Sequence, residues 1–211
     1  MIIVIDPTNY HLHQAELDGM FRLRKRVFLD QLGWEVDVKD GMETDRYDGL
    51  DPVYILSLDE RTREVRGSVR LMPTTGPHLM KDVFGAWFED PIIFESASIW
   101  EVTRFCVDPA WLRGHFTPRG LNLVTSELIV ALSEVASDIG LTQLTALCHH
   151  GMVKALKRAK CPHEIIGTSD VPSTGRVYLG LWDVSPEITA FLRKTTGLTV
   201  DDTYSGALKA A

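Results

Sequence analysis

The stretch IWEVTRFCVD, residues 99–108, has the composition of an interior β-strand and yet carries charges. Most of its residues are β-branched or aromatic, and the dipeptide Asp108-Pro109 ends the run. Glu101 and Arg104 nevertheless lie inside it. Because an isolated buried charge is very costly, such a strand must pair these two side chains or use them in chemistry.

Strict alternation along this strand puts Glu101 and Thr103 on one face of the sheet and Arg104 on the other. The three side chains can share a face only if a β-bulge resets the register. Bulges are favoured beside active sites because they re-aim side chains, and they free backbone N–H groups that could stabilise an oxyanion. A bulge in this strand is therefore the condition for a shared site.

Outward from this strand, the chain alternates between strand and helix patterns. Apolar residues recur at helical spacing over about 14–32, Gly33 ends that helix, and the polar, acidic residues 33–51 follow as a loop. Residues 73–97 are irregular, with one helical turn near 80–84, and residues 109–120 form a loop. The other predicted elements are strands at 1–5, 53–58, 65–72, 142–147 and 176–182, and helices at about 121–139, at about 152–159 and after Ser185-Pro186.

The order β-α-β-β-β-α-β-α-β-α predicts an α/β (α+β) protein with a mixed sheet covered by helices. A length of 211 residues, with 45% hydrophobic and 24% charged residues, fits one globular domain over 1–211. The net charge of -7 argues against bulk nucleic-acid binding. No apolar run approaches the roughly 18 residues that a membrane span needs, so no membrane association is expected.

The cysteines indicate the compartment. Cys106, Cys148 and Cys161 are odd in number, and their spacing fits neither a disulfide framework nor a zinc knuckle. We interpret them as free thiols of a cytoplasmic protein. No metal is expected, because Cys148, Cys161 and the nearby histidines His149, His150 and His163 form no CxxC or HExxH pattern.

Three further charged residues are candidates for a buried network. Arg24 falls in the middle of the apolar stripe of the first helix, which favours a buried, paired arginine over one whose head reaches water. The loop DGMETDRYDGLD, residues 40–51, offers carboxylates, including Asp45 and Asp48, although a solvated acidic loop is the alternative.

Alternation in the strand 65–72 sets Val65, Gly67, Val69 and Leu71 on one face, and Arg66, Ser68, Arg70 and Met72 on the other. Arg70 therefore faces either a ligand or the solvent. The loop RGHFTPRG, residues 113–120, precedes a helix as a phosphate cradle would, but it has too few glycines, so an ordinary connection is favoured.

Together these residues resemble the acyl-homoserine-lactone synthases of the LuxI type, the autoinducer synthases of bacterial quorum sensing. The resemblance covers most of the chain, from the first helix to at least residue 160. Each motif alone is weak, and their order and spacing make the match specific. The motifs are R-x-x-x-F (Arg24, Phe28), Trp34, E-x-D-x-x-D (Glu43, Asp45, Asp48), G-S-x-R-L (67–71), W-E-V-T-R-F (100–105) and GMVKALKRA (151–159).

The resemblance implies a Gcn5-type N-acetyltransferase-like three-layer fold, with a twisted mixed sheet, helices on both faces and a splayed central strand. It implies S-adenosylmethionine and an acyl thioester as substrates, with no cofactor. The amine of S-adenosylmethionine attacks the thioester, and its carboxylate then displaces methylthioadenosine to close the lactone.

The same resemblance implies three groups of site residues, with the amides around Phe105 facing the oxyanion. The catalytic charge network has Glu101 as base or water-holder, together with Arg104, Asp45, Asp48, Arg24 and Arg70. The S-adenosylmethionine site holds Phe28, Trp34, Arg104 and Thr103. The acyl pocket holds Trp100, Phe105, Ala146, Cys148 and Met152.

One position departs from part of the family. Members that prefer 3-oxo-acyl chains have a threonine where this chain has Ala146, which cannot donate a hydrogen bond. The acyl chain is therefore predicted to lack a 3-oxo group. The donor is either acyl-CoA or acyl carrier protein, an acidic partner for which Lys154, Lys157, Arg158 and Lys160 could form a basic patch, although a solvated helix face explains them equally.

Two other functions stay open. An acyltransferase of the same fold could act on another amine, although the loop 113–120 is a poor pyrophosphate cradle. A non-catalytic sensor of acyl ligands would not need Arg24, Asp45, Asp48, Glu101 and Arg104 together. No role is predicted for the pair His149-His150.

Overall fold

The computed structural model describes residues 1–172 and 174–199 of the chain. The strands, in chain order, are β1 Ile2–Ile5, β2 Val38–Lys39, β3 Met42–Glu43, β4 Val53–Leu58, β5 Val65–Pro73, β6 Ile99–Val107, β7 Gln143–His149, β8 Glu164–Val171 and β9 Gly175–Asp183. The α-helices are α1 Gln14–Lys25, α2 Leu79–Asp82, α3 Leu123–Asp138, α4 His150–Arg158 and α5 Pro186–Thr196. The predicted single domain over 1–211 stays a prediction, since residues 173 and 200–211 lie outside the described residues.

Seven strands form one sheet in the order β1-β4-β5-β6-β7-β9-β8. The stretch IWEVTRFCVD contains its central strand, β6. Neighbours in this sheet are antiparallel except β6 and β7, which pair in parallel only over Ile99–Glu101 and Gln143–Thr145. Beyond that point β6 stays paired with β5, and β7 stays paired with β9. The two central strands therefore part into a cleft, and the predicted splayed strand is confirmed.

Helices cover both faces of this sheet. One core joins strand residues such as Val69 and Val102 to α3, α4 and α5. A second core joins Ile5, Leu56 and Cys106 to α1 on the opposite face. The predicted three-layer mixed α/β architecture is thus confirmed. Among the described residues, no helix is long and apolar enough to cross a membrane.

The predicted alternation along β5 is wrong at its start. Ser57 pairs with Gly67 and Leu58 with Val65, so Arg66 is an extra residue in a bulge. Val65 consequently packs in the α1 core, while Arg66 turns to the other face and donates to Glu127 of α3. Alternation counted along the sequence cannot show where a bulge exchanges the two faces of a strand.

Three segments differ from the sequence expectation. The edge strand β8 was not predicted, because its sequence EIIGTSDV mixes polar residues and a glycine into an exposed edge. The first helix changes at Arg26–Gln31 into a π-helical turn. The loop 33–51 contains the β2–β3 hairpin and a 3-10 turn at Arg46–Gly49.

Candidate active site

The predicted bulge in β6 is present. Ser68 pairs with Cys106 and Arg70 with Thr103, so β6 holds one residue more than β5 between these pairs. Arg104 takes a left-handed φ of 53°, which is uncommon for a residue with a side chain. Its guanidinium and the Thr103 hydroxyl consequently reach the same group of ionic side chains. The bulge thus brings these neighbours onto one face.

Arg24 is the buried, paired arginine that the apolar stripe predicted. Its side chain is fully buried, and its two terminal nitrogens lie 2.8 and 2.9 Å from the two carboxylate oxygens of Asp48. Its Nε donates to Glu43. Burial alone would lower the pKa of Arg24, but the bonds with Asp48 and Glu43 raise it above its ordinary value.

Arg70 lies beside Arg24 and is also fully buried. Of the two options given for Arg70, exposure to solvent is therefore wrong. Its Nη1 is 2.6 Å from Asp45 Oδ1 and 2.7 Å from Asp48 Oδ1, and its Nη2 is 2.9 Å from Asp45 Oδ2. Its Nε donates to Thr103 Oγ1 at 3.0 Å. Arg70 therefore ties β6 to both loop aspartates.

Arg104 completes the group. Its Nη2 lies 3.0 Å from Glu43 Oε1 and 2.8 Å from Asp45 Oδ2. Three guanidinium groups thus meet three carboxylates, and their formal charges cancel. We call these six residues the ionic cluster: Arg24, Arg70, Arg104, Glu43, Asp45 and Asp48.

The loop carboxylates are held in place locally as well. The Asp45 side chain accepts from Tyr47 N, and the Asp48 side chain accepts from Asp45 N, which makes a capping box on the 3-10 turn. Tyr54 Oη donates to Asp48 at 2.7 Å. Burial would raise the pKa of both aspartates, but their arginine partners hold the pKa of each below its usual range. The alternative of a solvated loop is wrong for these residues.

A cavity of about 560 Å³ opens beside the ionic cluster. Glu43, Asp45 and Arg104 line one side, and Trp34 lines another. Trp34 stacks on Phe28, with ring centroids 5.2 Å apart and an angle of 3° between the planes. The predicted aromatic wall therefore borders the predicted charges.

Glu101 stands next to the cluster without bonding to it. It is buried, and its two oxygens accept the backbone N–H groups of Leu79 at 2.9 Å and Met80 at 2.6 Å. Burial raises the pKa of Glu101, although the Met80 N–H and the charge of His78 oppose that shift. A carboxylate with a raised pKa suits general-base chemistry near neutral pH.

Sequence reasoning missed one residue of this region, His78, and assigned no role to another, Glu43. His78 is 1% exposed, its Nδ1 is 3.0 Å from the Gly76 carbonyl oxygen, and its Nε2 has no hydrogen-bond partner among the described residues. No pattern marked it, because it lies in the irregular segment 73–97. Glu43 is as central to the cluster as Asp45, and only its place in the motif E-x-D-x-x-D signalled it.

The predicted acyl-pocket residues gather on the opposite face. Ala146 and Cys148 are buried in the α3–α5 core, and Trp100, Phe105 and Met152 pack against that core. Burial raises the pKa of the Cys148 thiol to about 12, so the thiol stays neutral.

The pair His149-His150 has a structural explanation. The His149 Nδ1 accepts from Gly151 N at 3.0 Å and so caps α4, while His150 lies beside the Tyr178 hydroxyl. Within residues 1–172 and 174–199, no group of three or more His, Cys, Asp or Glu side chains is arranged to hold a metal ion.

Known proteins resemble this chain in sequence. The sequence profile described as autoinducer synthase matches residues 8–191. The chain belongs to the autoinducer synthase family. An acyl-homoserine-lactone synthase of Rhizobium etli is 38% identical over 194 residues, which covers 92% of this chain and 89% of that protein. This autoinducer synthase is therefore an acyltransferase that makes acyl-homoserine lactones.

Solved structures of other proteins are also similar to this chain. The CoA-dependent acyl-homoserine lactone synthase BjaI, solved with SAM and isopentyl-CoA, is 26% identical with a TM-score of 0.85, over 99% of this chain and 94% of that one. FeeM, an N-acyl amino acid synthase from uncultured soil microbes, is 14% identical with a TM-score of 0.57, over 92% and 99% of the two chains. The second likeness concerns the fold alone. It shows that this autoinducer synthase and FeeM share a fold.

Proposed function

We propose that this autoinducer synthase acylates the amine of S-adenosylmethionine from an acyl thioester and then closes the lactone with release of methylthioadenosine. The single observation that carries the proposal is the ionic cluster, which opens onto a cavity walled by Trp34. S-adenosylmethionine carries an ammonium, a sulfonium and a carboxylate. A site with both carboxylates and guanidinium groups beside an aromatic wall matches all three charges.

Each side of the cavity suits one part of that substrate. The Phe28–Trp34 stack offers a flat face for the adenine ring and for the sulfonium cation. Arg104 keeps about a seventh of its side chain exposed, at 14%, and can bond the substrate carboxylate. Glu43 and Asp45 stand where they attract the cations.

The first step is acyl transfer. The substrate ammonium gives a proton to Glu101, directly or through water, and the freed nitrogen attacks the thioester carbonyl carbon. Backbone N–H groups at the β6 bulge, around Phe105, face the oxyanion that forms there. The C–S bond then breaks, the nitrogen gives up its second proton as the amide forms, and the thiolate takes up that proton.

The second step closes the ring. A carboxylate oxygen of the acylated substrate attacks the γ-carbon, and the bond from that carbon to the sulfonium sulfur breaks. The sulfur keeps the electron pair, so neutral methylthioadenosine leaves. Arg104 holds the carboxylate in place for this attack.

The acyl chain lies along Ala146, Cys148 and Met152 and carries no 3-oxo group. Ala146 has no donor, and the hydroxyl of the neighbouring Thr145 is committed to the Gly180 carbonyl at 3.1 Å. A 3-oxo group would therefore lose its hydrogen bonds to water without replacement.

The thioester comes from acyl-CoA or acyl carrier protein. The likeness to BjaI, a CoA-dependent enzyme, supports the first donor. The exposed basic residues of α4 and the turn after it, Lys154, Lys157, Arg158 and Lys160, support the second.

A mass-spectrometric product screen tests the proposal. Purified protein is mixed with S-adenosylmethionine and with matched acyl-CoA and acyl-carrier-protein donors. The expected products are an acyl-homoserine lactone and methylthioadenosine. Acylation of another amine without methylthioadenosine would favour the broader acyltransferase function instead.

A further inference from the structure

Two small residues face each other on the acyl side of the sheet. Ala146 of β7 pairs directly with Gly180 of β9, and the next pair on the same face is Leu144 with Trp182. Ala146 and Leu144 are buried in the α3–α5 core, and Trp182 packs against that core. The Ala146–Gly180 pair leaves a hollow on this face, because neither residue has a side chain that could fill it.

The Trp182 ring fills that hollow. A Cβ atom built on Gly180 would lie 2.5, 2.9 and 3.1 Å from three carbons of the indole ring, closer than side-chain carbons normally approach. The outer edge of the six-membered ring therefore lies over Gly180, the direct partner of Ala146 on β7. Glycine at position 180 is the condition for this placement, since its φ is not in the left-handed region and needs no glycine.

Two residues that follow α4, His163 and Cys161, also contact the ring. His163 lies 6.1 Å from Trp182, with an angle of 26° between the rings. Cys161, which follows α4, is buried in the same core, and its thiol interacts with the Trp182 indole. An indole fixed between a strand and the end of α4 is a rigid wall.

The Trp182 indole lies where an acyl chain that extends across β7 would end. The thioester carbonyl is placed at the β6 bulge, on one side of the cleft between β6 and β7. A chain that crosses this cleft and then β7 at Ala146 reaches β9 one strand spacing later, after about 5 Å. It then meets the indole above Gly180. We propose that Trp182, seated on Gly180, closes the far end of the acyl pocket and restricts this enzyme to short or branched acyl chains.

The inference rests on the proposed function and is tested with a donor series. Butanoyl-, isovaleryl-, octanoyl- and dodecanoyl-CoA are each given with S-adenosylmethionine, and kcat/KM is measured for every donor. The wild type is expected to prefer butanoyl or isovaleryl donors. Trp182→Leu is expected to raise the octanoyl-to-butanoyl ratio of kcat/KM by at least about tenfold, since a few methylene groups are worth this much in an apolar pocket.

Two further variants keep the test decisive. Trp182→Phe retains an aromatic ring and covers the case that the leucine variant folds poorly, and it is expected to give a smaller shift in the same direction. Trp111→Leu is the matched control, because Trp111 packs against the same core but lies over Arg66, 4.9 Å from its guanidinium carbon. It is expected to leave the ratio unchanged.

The outcomes separate this inference from the proposed function. An unchanged ratio in both Trp182 variants would overturn the inference, as would a wild type that prefers dodecanoyl-CoA. A wild type that binds S-adenosylmethionine but forms no lactone from any of these acyl groups, given either as CoA thioesters or on acyl carrier protein, would instead overturn the proposed function itself.

Discussion

The Arg70 guanidinium donates to the Asp45 carboxylate from both terminal nitrogens, with Nη1 2.6 Å from Oδ1 and Nη2 2.9 Å from Oδ2. Arg70 belongs to the interior of the sheet, and Asp45 belongs to the loop that borders the cavity. A two-point bond of this kind fixes the orientation of the loop as well as its distance. The position of the proposed substrate site thus depends on a buried guanidinium.

Arg70→Lys tests this dependence. Lysine keeps the charge but carries only three N–H donors on one nitrogen, whereas Arg70 makes four bonds from three nitrogens, so the free energy of unfolding is expected to fall by about 2–3 kcal/mol. Affinity for S-adenosylmethionine, measured by calorimetry, should fall as the loop loosens. Arg22→Lys on the exposed face of α1 is the control and should change neither quantity. Equal affinity in both variants would contradict the positioning role.

Asp48→Asn should show how the ionic cluster responds to pH. The pKa of Asp48 is depressed in the folded protein, so its contribution to stability is complete above the unfolded value of about 3.8 and disappears as the pH falls through the folded value. At pH 7 the variant should lose about 3–5 kcal/mol, because Arg24 and Arg70 lose a buried partner. The difference from the wild type in denaturant titrations should shrink below about pH 4. A constant difference across pH would contradict this account.

Glu101→Gln removes the proposed base while keeping its shape. The burial that raises the pKa of Glu101 moves its titration above 4.5, so the wild-type kcat should rise with pH through that raised value as the carboxylate ionises. The variant should lose this rise, and its kcat should fall by about 10²–10⁴ with nearly unchanged binding of S-adenosylmethionine. Glu127→Gln, at another buried glutamate, should keep the pH profile. Full activity of the Glu101 variant across pH would show that Glu101 is not the base.

Gly67→Ala tests the contact between β5 and α3. A Cβ atom at Gly67 would lie 2.7 Å from a Val124 methyl carbon and 3.0 Å from the Cys106 carbonyl oxygen. Overpacking of this kind should cost about 1–3 kcal/mol of unfolding free energy. Gly49→Ala meets no atom within 4 Å and serves as the control. Similar thermal denaturation of both variants would contradict the close contact.

Sequence reasoning succeeded where a charged residue interrupts an otherwise apolar helix face or strand. Arg24 interrupts an apolar stripe and Arg104 interrupts a strand, and both conflicts indicated paired charges that the structure contains. It failed where the deciding contact lies far along the chain. Val65 and Arg66 change faces at a bulge set by pairing with β4. His78 is buried at the start of α2, whose first N–H groups donate to Glu101, a residue more than 20 positions along the chain.

In the proposed mechanism, one protein joins acyl transfer to lactone closure. The most direct test uses S-adenosylmethionine labelled with ¹³C in its aminobutyryl carbons, mixed with the preferred acyl thioester and analysed by mass spectrometry over time. We expect the label in an acyl-homoserine lactone, with an equal amount of unlabelled methylthioadenosine. Labelled acyl-S-adenosylmethionine that accumulates without methylthioadenosine, or no acylated product at all, would contradict the account.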